Sequence, residues 1–84
     1  MNNEKLQLIK KGLLGYTVDL ITLDNFVQDA LGTIQSLFDD YNDVIEQESA
    51  SYYLEDDKNL IIEFETERII DRTAIVNIIN IWID

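Results

Sequence analysis

The chain changes its hydrophobic period once, and that change dictates the class of fold. Leu23, Phe26, Val27, Ala30, Leu31, Ile34, Leu37, Phe38 and Tyr41 recur at three- and four-residue spacing, the apolar stripe of a helix. In residues 59–68, NLIIEFETER, the spacing falls to two: Leu60, Ile62 and Phe64 point one way while Glu63, Glu65 and Glu67 point the other. A helical period followed by a strand period predicts an α+β fold, with one or two N-terminal helices packed on a three-stranded antiparallel meander sheet. At 84 residues the chain is expected to be one domain, helical over 3–42 and β-rich over 45–83.

The long stripe predicts a helix from about residue 22 to about residue 42, with Thr22 as N-cap and Ile21 and Phe26 at hydrophobic-staple spacing. Its outer face would carry Asp24, Asn25, Gln28, Asp29, Gln35, Ser36, Asp39, Asp40 and Asp43. Residues 3–14 read as a short helix weakened and ended by Gly12 and Gly15, and YTVDLI as a connector or short extended piece. EDDKN is a hairpin turn joining a less regular strand near 45–55 to the next.

The last segment, TAIVNIINIWID, can be read two ways. Thr73, Asn77, Asn80 and Asp84 share a helical stripe, but six β-branched residues and Trp82 crowd the nine positions from Ile75 to Ile83, which favours a strand. Such a strand would be apolar on both faces, Ile75, Ile79, Ile81 and Ile83 alternating with Val76, Ile78 and Trp82. One face can cover the long helix, and the other needs the first helix or a second chain. Ile75, Ile79, Ile81, Trp82 and Ile83 are therefore the candidate homodimer interface.

Several function classes fall away on composition. With no Cys and no His, serine–histidine and cysteine–histidine machinery and thiolate or imidazole metal sites are excluded. Calcium loops fail as well. A loop starting at Asp39 puts Val44 where glycine belongs and Ala50 at the last ligand position, and one starting at Glu55 puts Leu60 and Thr66 there. GLLG at 12–15 lacks the spacing of a phosphate cradle. The sequence thus predicts no enzyme, no cofactor and no metal. Gln7, Lys10 and Lys11 break any signal-peptide core, no run approaches a membrane span, and a cytoplasmic protein is expected.

The net charge is −11, and it is unevenly spread. Residues 12–57 hold eleven acids and no base, and eight of the acids fall in residues 39–57, DDYNDVIEQESASYYLEDD. Direct contact with nucleic-acid phosphate or anionic membrane is therefore disfavoured. Solvation alone accounts for many such charge runs. If Asp39, Asp40 and Asp43 close a long helix, however, they oppose its macrodipole, and a surface held against that cost implies a cationic partner. The candidate partner-binding residues are Asp39, Asp40, Asp43, Glu46, Glu48, Tyr52, Tyr53, Glu55, Asp56, Asp57, Glu63, Glu65 and Glu67. The adjacent tyrosines serve as possible anchors, of which only one can point inward on a strand.

In charge and size the chain resembles the small acidic inhibitors that occupy nucleic-acid-binding sites. These include phage anti-CRISPR and other anti-defence proteins and the immunity proteins of nuclease toxins, whose tyrosine pair followed by acids SYYLEDD resembles. That resemblance implies a phage or mobile-element protein acting in the host cytoplasm. It would cover the basic surface of a nucleic-acid-handling protein by DNA mimicry. The alternative is a structural protein that assembles through AIVNIINIWI, with solvent-facing acids.

Overall fold

The computed structural model describes residues 3–32 and 34–84, with the side chains of Phe38 and Asp56 outside the described set. The fold is α+β, with three helices and a four-stranded antiparallel sheet.

Helix α1, Asn3–Leu13, carries Glu4 in its first turn and Lys10 and Lys11 in its last, both placements that suit the helix dipole. It buries Ile9 and Leu13. Gly12 lies inside this helix and does not end it. A Cβ there would collide with the ring of Phe26, so glycine marks the point where α1 touches the next helix. Gly15, with φ of 82°, makes the turn out.

Strand β1, Thr17–Asp19, leads directly into helix α2, Leu20–Leu31. Asp19, not Thr22, is the cap: its carboxylate accepts from the Thr22 backbone N–H at 2.8 Å and from the Thr22 hydroxyl at 2.7 Å. Those two bonds hold the Asp19 carboxyl below its ordinary range.

The long helix expected over 22–42 is in fact two. Gly32 adopts a left-handed φ of 68° and its N–H bonds back to the Gln28 carbonyl, which closes α2. A 3₁₀ turn, Phe38–Asp40, then opens helix α3, Tyr41–Gln47. The apolar stripe ran across this break by coincidence. Ile34, counted on it, is 94% exposed, whereas Leu37 is buried.

The sheet order is β1-β4-β3-β2, with β2 over Ser49–Leu54, β3 over Lys58–Ile70 and β4 over Thr73–Ile83. The C-terminal segment is thus a strand, as its β-branched content predicts. The strand missing from the expected meander is β1, which pairs Thr17 with Asn77 and Asp19 with Ile75 on the far side of β4. Residues 45–47, expected in a strand, belong to α3. Asp71 and Arg72 join β3 to β4 as a two-residue turn, both with positive φ.

Two bulges set which side chains face inward. Glu63 pairs with Asn80 and Phe64 with Ile78, which leaves Ile79 without a partner on β3. The alternation of β4 therefore reverses at Ile79. Val76 and Ile78 are buried before it, Ile81 is buried after it, and Trp82 turns outward on the face of Ile75. Strict alternation had grouped Ile81 and Ile83 with Ile75 at an oligomer interface. In the structure Ile81 is core and Ile83 packs against the core.

All three helices contribute to a single core with the inner face of the sheet: Ile9 and Leu13 from α1, Leu20, Leu23 and Val27 from α2, and Val44 from α3. The first helix therefore lies in the same layer as the second. Among the described residues no helix lies over the other face of the sheet, and Tyr53, Ile79 and Trp82 are exposed there.

Candidate functional site

The acids of residues 39–57 gather around β2, an edge strand. Asp39 and Asp40 lie in the 3₁₀ turn and Asp43 in the first turn of α3, with Glu46 one turn on, and all four are exposed. This corrects the electrostatic expectation. These carboxylates open a helix, where its dipole favours anions, and do not close one. Their placement does not oppose the helix dipole, so strain at a helix end does not point to a partner.

Asp40 and Asp43 line an open depression together with Leu37, Val44, Gln47, Ser49 and Ser51, so that α3 and the outer edge of β2 share one surface. Ser49 lies opposite Glu63 on β3, and Glu65 follows two residues on along the same uncovered face. Acids of the helix and acids of the sheet face therefore lie to either side of Ser49, at the edge of β2. At the other end of β2, Glu55 and Asp57 are exposed, and Asp57 accepts from the Tyr53 hydroxyl at 3.2 Å. The Asp56 side chain lies outside the described residues.

The expected glutamate stripe is shorter than its sequence implies. Thr66 pairs with Val76 and Arg68 with Ile75, which leaves Glu67 as the extra residue of the second bulge. The next in-register residue on the uncovered face after Glu65 is a cation, Arg68. Arg72 lies in the adjoining turn beside Asp71, so cations and acids are mixed at the hairpin end of the sheet.

Of the two tyrosines, Tyr53 is 57% exposed and Tyr52 is buried, which removes Tyr52 from any docking surface. Its hydroxyl donates to Asp24 Oδ1 at 2.7 Å. Asp24 was expected on the outer face of a helix and is instead a buried carboxylate, 3% exposed. It also accepts from the Leu37 backbone N–H at 3.3 Å and the Ser36 hydroxyl at 3.5 Å. Three donors make burial of that charge tolerable. Burial, with the Asp24 bond and charge adding to it, drives the Tyr52 pKa far upward, so the phenol stays a donor.

Side chains also complete the sheet edges, a feature the sequence did not reveal. Gln35 accepts from the Tyr53 N–H at 2.7 Å and donates to the Tyr53 carbonyl at 2.7 Å, standing in for a neighbouring strand. Glu48, with a left-handed φ of 54°, gives its backbone carbonyl to the Phe64 N–H and its carboxylate to the Thr66 N–H at 2.6 Å. Glu48, placed among the partner-binding acids, is therefore already engaged within the fold. Asn80 accepts from the Ile81 N–H at 3.0 Å. The surplus of a hydrogen-bonding side chain beside a strand is visible only once register is known.

Among the described residues, no three carboxylates converge where a metal ion could sit, and no helix is long and apolar enough to cross a membrane. No protein-family model, curated protein or solved structure matches the chain.

Proposed function

We propose that this protein is a non-catalytic binding module. Its acidic surface around β2 docks on the basic nucleic-acid-binding groove of another protein and keeps nucleic acid out. The observation that carries this reading is that acids of two elements flank the same stretch of β2. Asp40 and Asp43 share a depression with Ser49 and Ser51, and Ser49 stands beside Glu63 on the open sheet face. Alternate strand residues lie about 6.7 Å apart, so Glu63 and Glu65 continue the row at a spacing suited to a groove built for phosphates. Tyr53, exposed at the same edge, is the aromatic anchor. Nucleases, polymerases and regulators of nucleic acid are the matching partner class, and inhibitors of this kind are encoded by phages and mobile elements.

The test is capture from the source cell on immobilised protein, washed at low and at high salt. A partner held by charge is retained at low salt and released at high salt. The variant Asp39→Lys/Asp40→Lys/Asp43→Lys should retain none of it. Equal capture by wild type and variant contradicts the reading.

A second reading draws on a different observation. The bulge at Ile79 turns Trp82 onto the same uncovered face as Ile75, beside Ile61, its partner in register. A second copy packed there would give a homodimer whose acids only face solvent. Light scattering across a dilution series decides between them: a tight dimer that Trp82→Lys dissociates supports assembly, and a monomer throughout removes it.

A further inference from the structure

We propose that the outer edge of β2 accepts an extended lysine- or arginine-bearing segment of the partner as an added strand, hydrogen-bonded at Ser51 and flanked by Asp40 and Asp43. This rests on the reading that the partner is basic, and it specifies how that partner is held.

Both the N–H and the carbonyl of Tyr53 bond to Gln35, so Tyr53 directs its backbone away from β3. In an antiparallel ladder, outward backbone groups recur every second residue, which turns the N–H and carbonyl of Ser51 outward too. Strand β2 is last in the sheet order, so among the described residues no strand lies on that side. Thr66 and Ile81 have their N–H groups met by Glu48 and Asn80, and Tyr53 by Gln35. Among the described residues no backbone group pairs with Ser51 on its outer side. An unpaired strand edge is a template for another extended chain.

The surroundings then select the occupant. Beside Ser51 the depression offers the buried apolar residues Leu37 and Val44, with Asp40 and Asp43 around them. An incoming strand alternates its side chains, so apolar residues can meet Leu37 and Val44 while cationic ones reach the carboxylates. A second copy of this chain pairing β2 to β2 would bring its own Asp40 and Asp43 against these, and like charge repels it. Nucleic acid is repelled for the same reason.

The probe is an end-blocked heptapeptide of alternating lysine and valine, compared with the same peptide N-methylated throughout, which keeps charge and loses every backbone donor. Binding is read by fluorescence anisotropy at low salt. The wild-type protein should prefer the parent peptide by roughly tenfold, the worth of one or two backbone hydrogen bonds. Ser51→Pro should abolish that preference. Proline is tolerated there because the lost N–H is not used by β3, and circular dichroism checks that the sheet persists. If both peptides bind wild type equally, docking on a basic partner stands and strand addition is overturned. If neither peptide binds, both proposals fall. Should Ser51→Pro not fold, the peptide comparison on wild type still decides the matter.

Discussion

Asp24 shows how far one residue can depart from its apparent class. It sits among polar positions of an amphipathic stripe, yet it is buried with Tyr52, Ser36 and Leu37 donating to it. The triad ties α2, the segment before α3 and β2 at one point. Tyr52→Phe removes the shortest of those bonds and leaves a buried carboxylate short of a donor. It should cost about 1–3 kcal/mol in urea unfolding. Thr66 is the converse case. Its buried Oγ1 has no partner among the described residues, so Thr66→Val should leave stability equal or raise it by up to about 1 kcal/mol. Asp19 gives a pH signature. Its folded-state pKa is depressed, so its stabilising effect is complete above its ordinary value of 3.8 and is lost as pH falls through the folded value. Acid unfolding of Asp19→Ala should therefore lack that component, and at neutral pH the variant should be about 1 kcal/mol less stable. The roles of Asp24 and Thr66 are not legible in sequence, because they depend on which distant atoms come within bonding reach, whereas the Asp19 cap is local, with its partner three residues on.

At the scale of elements, local chemistry was legible and phase was not. The period-two run gave β3 correctly, and β-branched crowding gave β4. The long apolar stripe misled because three- and four-residue spacing continued by chance across Gly32, and the left-handed glycine was the signal that should have broken it. Single-residue bulges at Ile79 and Glu67 then moved Ile81, Ile83 and Arg68 to faces that strict alternation denied them. The β3–β4 turn carries its own prediction. Arg72 holds a φ of 69° where glycine is at ease, so Arg72→Gly should raise stability by about 0.5–1 kcal/mol, measured by denaturant midpoint. Helix α3 yields an opposite expectation for charge. Because Asp43 lies in its first turn, replacing Asp39, Asp40 and Asp43 by lysine should lower the melting temperature slightly, where a C-terminal placement would have raised it. The sign of that shift checks the helix break directly.

For the whole molecule, the consequence of these placements is a division of its surface. The helices and the inner sheet face enclose the core, and Lys10 and Lys11 lie on α1. Acid surrounds β2 and spreads onto the uncovered face, while at the hairpin end Arg68 and Arg72 are mixed with Glu67 and Asp71. The charge imbalance was plain from composition. Its concentration at a strand edge was not, since it required α3 to fold back beside β2. In the proposed function this acidic edge takes the place of nucleic acid on a basic groove. Competition measures it most directly: the captured partner is loaded with a short labelled DNA duplex and titrated with this protein while anisotropy is followed. Complete displacement of the duplex is expected, weakened by Asp40→Lys/Asp43→Lys. A stable complex holding partner, duplex and this protein together would contradict it.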